Sequence, residues 1–111
     1  MTFLYLSSDR MGSGDEELGR KLLRNFLAKL VASEVHVDFV ACLNDGIRLT
    51  TEEGECLESL RVLEARGVTI LSCGTCLDHH GRRDRVLLGH IGGMPQTVEL
   101  FATADRVIAP C

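Results

Sequence analysis

Aromatic residues and clustered basic residues are scarce in this sequence. Among 111 residues there is no tryptophan, one tyrosine and four phenylalanines, and the formal net charge is −4. Nucleic acids are bound through stacking on aromatic rings and through rows of basic side chains, so this composition argues against a nucleic-acid-binding protein. The one dense basic run, residues 82–85, mixes arginines with an aspartate and is typical of a solvated surface loop.

Targeting signals and membrane-spanning runs are also missing. The first six residues carry no basic leader and are followed at once by polar residues, so this stretch is too short for a signal peptide or a membrane span. Five cysteines are an odd count in a chain without an export signal, which disfavours a disulfide framework. We therefore expect a cytoplasmic protein with reduced thiols and no contact with membranes. Its length and 45% hydrophobic content suit a single domain over residues 1–111.

Apolar runs rich in β-forming residues alternate with helical patterns along the chain. The predicted strands are Phe3–Ser8, Val35–Leu43, Val68–Ser72 and Arg106–Ala109, with a loop or short strand around Leu87–Ile91. Near-continuous apolar strands separated by helices are typical of a parallel sheet that is covered on both faces. The sequence therefore predicts an α/β fold with three layers, α/β/α, and a parallel sheet of four to five strands.

Three longer helices are predicted between these strands. The first carries an apolar stripe over residues 18–31, the second runs from about residue 51 to 66 and stops at Gly67, and the third covers about residues 95–104. The third is expected to turn Val98, Phe101 and Ala102 toward the core. The first two begin with residues in capping-box spacing, namely Ser13 with Glu16 and Thr50 with Glu53.

Two cysteines three residues apart form the part of the chain that looks most suited to chemistry. Cys73-Gly74-Thr75-Cys76 closes the third predicted strand and opens a short helical segment. Ligand sites of parallel sheets gather at the carboxyl ends of the strands, where the loop around Asn44 also lies. A helix start offers free N–H groups that favour thiolate over thiol, and an imidazolium on His79 or His80 would favour it further.

These residues allow several interpretations. Zinc binding by Cys73, Cys76, His79 and His80 would crowd four ligands into eight residues, with no second Cys-x-x-Cys elsewhere. A thioredoxin-type oxidoreductase normally carries its motif after an early strand rather than the third. Two merely packed cysteines fit poorly with a glycine-containing turn, so a nucleophilic sulfur carrier without metal or cofactor is favoured. The other three cysteines are expected to be passive, with two buried and one in a free tail, namely Cys42, Cys56 and Cys111.

Residues 70–78 followed by Gly81 resemble the cysteine motif of the DsrE/DsrF-like (YchN-fold) family, and within it the C-terminal domain of YedF-type selenium-metabolism proteins. Three further stretches agree in order, namely residues 12–19, 43–49 and 104–108. The resemblance implies a three-layer α/β domain that forms homo- or hetero-oligomers, often trimers or hexamers. It also implies that sulfur passes between proteins as a cysteine persulfide.

The resemblance also implies roles for individual residues. In the sulfur-relay members the persulfide-bearing cysteine lies eight residues before a loop glycine; Cys73 stands eight residues before Gly81 and takes that role, whereas Cys76 is additional. YedF-type proteins usually carry an N-terminal TusA-like domain, which this sequence lacks. A separate TusA-like sulfur carrier, or another persulfide donor or acceptor, is therefore the expected partner.

The leading hypothesis is a sulfurtransferase-like relay of sulfur or selenium. In it Cys73 attacks a donor persulfide, holds the sulfur and yields it to an acceptor thiol, while Cys76 is able to resolve the persulfide. The supporting residues are Gly74, Thr75, His79, His80 and Asn44. The alternatives are a non-catalytic oligomeric module that binds a carrier or senses redox state, with Arg82 and Arg83 as contact residues, and a Cys/His metal-binding protein.

Overall fold

The computed structural model describes all 111 residues and contains one five-stranded sheet with helices on both faces. The strands are β1 (Thr2–Leu6), β2 (Phe39–Cys42), β3 (Thr69–Cys73), β4 (His90–Gly92) and β5 (Arg106–Ile108). The helices are α1 (Glu16–Ala32), α2 (Arg48–Thr51), α3 (Glu55–Ala65), α4 (Gly74–His79) and α5 (Met94–Thr103). Two short 3-10 helices cover Asn44–Ile47 and Arg83–Arg85.

All neighbouring strands are parallel, in the order β4-β3-β2-β1-β5. Each strand is joined to the next in sequence by at least one helix, as parallel pairing requires. The predicted α/β fold with a parallel sheet is confirmed, with five strands. No helix is both long and apolar enough to cross a bilayer.

One face of the sheet, which we call the thick face, is covered by α1 and α3. Side chains alternate along a strand, so every second residue of β1, β2 and β3 points to this side. They join leucines from both helices in a cluster of fifteen buried residues. Its largest fully buried members are Leu4, Leu6, Leu23, Leu27, Leu57, Leu60 and Ile70.

The opposite face, which we call the thin face, has a much smaller core. Six buried residues form its cluster, namely Phe3, Ala41, Leu43, Leu71, Cys73 and Leu100. Only α5 and part of α4 cover this side, and the aromatic ring of Phe101 packs edge-on against Phe3 and Tyr5 with centroids about 5 Å apart. The cysteine segment therefore belongs to the less covered side of the sheet.

Helix α5 is rotated relative to the prediction. Thr97 and Leu100 face the sheet, whereas Val98 is 60% exposed, Phe101 is 44% exposed and Ala102 is also exposed. The expected inward direction is wrong for Val98 and Ala102, whereas the ring of Phe101, although partly exposed, packs against Phe3 and Tyr5. Apolar residues occupy both sides of this helix, so periodicity alone does not determine which side meets the sheet.

Both predicted capping boxes are also wrong. Helix α1 begins one residue after Asp15, whose carboxylate accepts a 2.7 Å hydrogen bond from the Leu18 N–H. A carboxylate at this position also interacts favourably with the helix dipole, which explains why it replaces Ser13 as the cap. The leucines at the start of the predicted stripe, Leu18 and Leu22, remain exposed.

The second predicted helix, about residues 51–66, begins later than expected, and a separate short helix precedes it. Thr50 lies inside α2 with its hydroxyl buried, and the chain breaks at Gly54, whose φ of 155° is a conformation that other residues rarely adopt. Helix α3 therefore starts at Glu55 and ends before Gly67, whose positive φ of 95° confirms the predicted stop.

Candidate functional site

The two cysteines lie where β3 gives way to α4, as the sequence predicted. Cys73 is the last residue of β3 and directly precedes Gly74, the first residue of α4. Cys76 lies one helical turn further along, so its side chain is on the same side as that of Cys73. Cys76 packs against the buried cluster that contains Cys73, and Cys73 is near enough to raise the pKa of the Cys76 thiol. This proximity places two potential nucleophiles side by side at the carboxyl edge of the sheet.

Cys73 is the inner member of the pair. Its residue is only 7% exposed, and its side chain packs with Phe3, Leu43 and Leu71 in the thin-face core. The strand pattern explains this position, because Leu71 and Cys73 are two residues apart and therefore point to the same face. Little of Cys73 is therefore accessible to a reagent in solution.

Cys76 is the outer member of the pair and is half-buried. Its Sγ accepts a hydrogen bond of 3.1 Å from the backbone N–H of Asn44. Partial burial raises the pKa of the Cys76 thiol, the neighbouring Cys73 raises it further, and the Asn44 N–H acts in the opposite direction. The expected lowering of the thiol pKa at the start of the helix is therefore wrong for Cys76, because burial outweighs the single N–H donor.

Asn44 is placed by an unusual stretch of backbone after β2. Its φ is 52°, a left-handed conformation that asparagine adopts more readily than most residues. Two residues later Gly46 lies so close to β1 that an added Cβ would be 2.1 Å from the Leu6 carbonyl oxygen. This close approach holds the 3-10 helix against the end of β1 and turns the Asn44 N–H toward α4.

The predicted supporting residues around the pair have different surroundings. Gly74 is buried, and a Cβ there would lie 2.8 Å from the guanidinium of Arg83, so the glycine makes room for that side chain. Thr75 is exposed. His79 and His80 are exposed too, with ring centroids 5.1 Å apart, and neither hydrogen-bonds to a cysteine nor shifts the Cys76 pKa. Activation of the thiols by a histidine therefore has no support in this geometry.

Two arginines fasten the loop that follows α4. Arg83 donates two hydrogen bonds of 2.6 and 3.1 Å to the Asp78 carboxylate, and this pairing lowers the pKa of the Asp78 carboxyl. Arg82 lies 3.0 Å from Glu52 and donates to the Thr51 hydroxyl, so it ties the loop to α2. The sequence pattern predicted only a solvated surface loop here. The partners of Arg83 and Arg82 lie five and about thirty residues away in the chain, respectively.

The end of β3 is also held in place by a hydrogen bond on the thick face of the sheet. Ser72, the neighbour of Cys73, points to the thick face, where its hydroxyl is 2.7 Å from that of Thr50. Both hydroxyls are fully buried, and Thr50 also donates to the Ile47 carbonyl. A buried pair of this kind favours one arrangement of the strand end and so holds Cys73 in place.

The remaining cysteines lie on the thick side, away from the pair. Cys42 is fully buried, and burial raises its pKa to about 12, so it is the small core residue that was predicted. Cys56 is half-buried on α3. Cys111 is also half-buried and its thiol contacts the Ser8 carbonyl at 3.7 Å, so the predicted free tail is wrong. Burial raises the pKa of Cys56 and of Cys111 as well.

Metal ligands and enclosed substrate pockets are not found at the cysteine pair. Nowhere do three or more histidine, cysteine, aspartate or glutamate side chains converge in a way that would hold a metal ion. Three clefts, of about 180, 260 and 170 Å³, lie along α1–α3, beside α5 and between the ends of α1 and α3, and none is lined by Cys73 or Cys76. Of the two cysteines, only Cys76 is partly exposed, so it is the sulfur that a thiol on another molecule can reach.

Comparison with known proteins gives a family and a fold. The DsrE/DsrF-like family matches residues 9–110. The YchN protein from E. coli is 21% identical, with 97% of both chains covered and a TM-score of 0.70. MTH1491 from Methanobacterium thermoautotrophicum, a protein of unknown function, is 19% identical, with 98% of this chain and 97% of that chain covered and a TM-score of 0.69. No match was found among curated proteins.

Proposed function

The chain belongs to the DsrE/DsrF-like family, and we propose that it is a sulfur relay protein that holds sulfane sulfur as a persulfide on Cys73 and passes it to an acceptor thiol. Family membership points to a role in sulfur chemistry. The observation that carries the proposal is the pair of neighbouring thiols at the end of β3, with the Asn44 N–H donating to the sulfur of Cys76. A dithiol with one partly exposed sulfur supports sulfur exchange between proteins.

The chemistry needs no cofactor. A thiolate attacks the outer sulfur of a donor persulfide, the donor S–S bond breaks, and the donor leaves as a thiolate while Cys73 carries the persulfide. An acceptor thiolate then repeats the exchange in the opposite direction. In both steps one S–S bond forms as another breaks, so there is no net oxidation or reduction.

Cys76 gives the site a second outcome. Its thiolate, beside Cys73, attacks the inner sulfur of the persulfide, forms a Cys73–Cys76 disulfide and releases hydrosulfide, or hydroselenide if selenium was carried. Two electrons leave with the released ion, so a dithiol reductant must reduce the disulfide before another cycle. Whether the sulfur is transferred or released depends on how quickly an acceptor arrives.

We further propose partners on two surfaces. A TusA-like carrier or another protein persulfide would dock at the edge that exposes Cys76. A second copy of this chain, in the trimers or hexamers that the family resemblance implies, would cover the outer side of α5. Met94 and Val98 lie there one helical turn apart, and both are exposed and uncharged.

A redox-sensing module is the second candidate, and the proximity of the two thiols is the observation that favours it. Neighbouring cysteines form a disulfide readily when an oxidant is present. Partner binding through Arg82 and Arg83 has less support, because both side chains are already paired with carboxylates. Disulfide formation by diamide, without any sulfur uptake from a persulfide donor, would favour the sensor.

Mass spectrometry after incubation with glutathione persulfide tests the proposed relay. We expect the mass of one added sulfur atom on the wild type, located by fragmentation of the tryptic peptide 67–82 on Cys73. A matched control is Cys56→Ser, because Cys56 is also half-buried but lies on the thick side. The control should load like the wild type. Sulfur found on Cys56 or Cys111 instead of this peptide would contradict the proposal.

A further inference from the structure

We propose that sulfur enters this site at Cys76 and moves from there to Cys73, where it is stored; this inference rests on the proposed relay function. The family resemblance assigns the persulfide to Cys73 but gives Cys76 no part in loading. The geometry of the pair suggests instead that the two sulfurs have successive tasks. Cys76 is placed to receive sulfur from a donor, and Cys73 is placed to store it.

Access to donors differs between the two thiols. A donor persulfide has to approach so that the attacking sulfur, the transferred sulfur and the leaving sulfur lie roughly in line. Cys73 is 7% exposed and is enclosed by Phe3, Leu43 and Leu71, so a donor attached to a peptide or protein has no room to align there. Cys76 is half-buried and lies between exposed Thr75 and exposed Asn44.

The polar surroundings also favour Cys76 as the receiving sulfur. Negative charge lies on the Cys76 sulfur when it attacks the donor as a thiolate, and it returns to the same sulfur when Cys76 becomes the leaving group in the transfer to Cys73. The Asn44 N–H, 3.1 Å from the Cys76 Sγ, is a fixed donor for such charge, and it needs no side-chain movement because it belongs to the backbone.

The transfer between the two cysteines is a balanced exchange. The Cys73 thiolate attacks the outer sulfur of the Cys76 persulfide, the S–S bond to Cys76 breaks, and Cys76 becomes a thiolate. The proton that Cys73 loses is taken up by that thiolate. Cys76 packs against the thin-face cluster that contains Cys73, so the step is intramolecular.

Storage on Cys73 protects the sulfur. A persulfide inside the thin-face core is shielded from cyanide, glutathione and other nucleophiles in solution, whereas one on Cys76 is open to them. Release follows the same route backward, through Cys76 to the acceptor. A buried storage sulfur and an accessible exchange sulfur together prevent loss of the cargo between encounters.

A time course with two donors tests this order. Wild-type protein is mixed with glutathione persulfide, quenched with excess alkylating agent in acid-denaturing buffer, and the peptide 67–82 is mapped. We expect sulfur first on Cys76 and then on Cys73. Cys76→Ser should load about ten-fold more slowly than the wild type from glutathione persulfide, because rates of exchange depend on access. Inorganic polysulfide, which is smaller, should show a smaller deficit.

Cys73→Ser should trap the sulfur on Cys76 and lose it rapidly to cyanide, whereas sulfur on the wild type should resist. Circular dichroism checks that both variants are folded, and the order of labelling in the wild type does not depend on either variant. Equal loading rates for Cys76→Ser and wild type, with sulfur first on Cys73, would overturn the inference and leave the relay intact. Absence of sulfur from both cysteines of the wild type would instead refute the relay itself.

Discussion

The two faces of the sheet differ in how much of their apolar surface is buried. On the thick face, α1 and α3 cover a cluster of fifteen buried residues, whereas on the thin face α5 and part of α4 cover six. The thick face contains Cys42, whose thiol is inert because its pKa is about 12, and the thin face contains the pair of neighbouring thiols. The difference indicates that the thick face contributes most of the buried core, whereas the thin face leaves Cys76 and apolar side chains of α5 partly exposed.

We expect the largest effects on stability when one buried leucine on each face is truncated, and the two losses test the comparison of the faces directly. Leu60→Ala on the thick face removes a fully buried side chain, and we expect a loss of about 2–5 kcal/mol in the free energy of unfolding. Leu100→Ala on the thin face should cost less, because its surroundings are less completely packed. Urea unfolding measures both. An equal or greater loss for Leu100→Ala would show that the thin face is also needed for stability.

Polar substitutions on the outer side of α5 should have the smallest effect on the fold. Val98 is 60% exposed and Met94 is 53% exposed. We therefore expect Val98→Ser and Met94→Ser each to change the free energy of unfolding by no more than about 0.5 kcal/mol. If a second copy covers this side, sedimentation should show a smaller assembly for the double variant. Glu99→Gln, on the same helix, serves as the control. An unchanged assembly size would remove α5 from the proposed contact.

Some of this architecture was predictable because it depends on local sequence patterns. Apolar β-forming runs separated by helical periodicity were enough for the parallel sheet, and the position of Cys73 at a strand end followed from the run before it. The phase of α5 was not predictable, since Leu100 on one side and Val98 on the other give two apolar faces. The start of the second helix was placed too early, because helical periodicity does not show that Gly54 adopts the positive φ that interrupts the helical conformation there.

The site itself depends most on contacts that a sequence pattern does not contain. The donor to Cys76 is the backbone N–H of Asn44, thirty-two residues away. Every residue except proline has such an N–H group, so the sequence does not show which one donates to the sulfur. The burial of Cys73 comes from Phe3 and Leu100, which are far from it in the chain. The histidines next to the motif suggested activation from sequence spacing, but their exposed rings do not contact either thiol.

The mass of added sulfur on a double variant tests the central claim most directly. Cys73→Ser combined with Cys76→Ser leaves three cysteines in place, namely Cys42, Cys56 and Cys111. After the same exposure to glutathione persulfide, the account predicts one added sulfur on the wild type and none on the folded double variant. An equal gain of sulfur by the double variant would contradict the claim that this pair carries it.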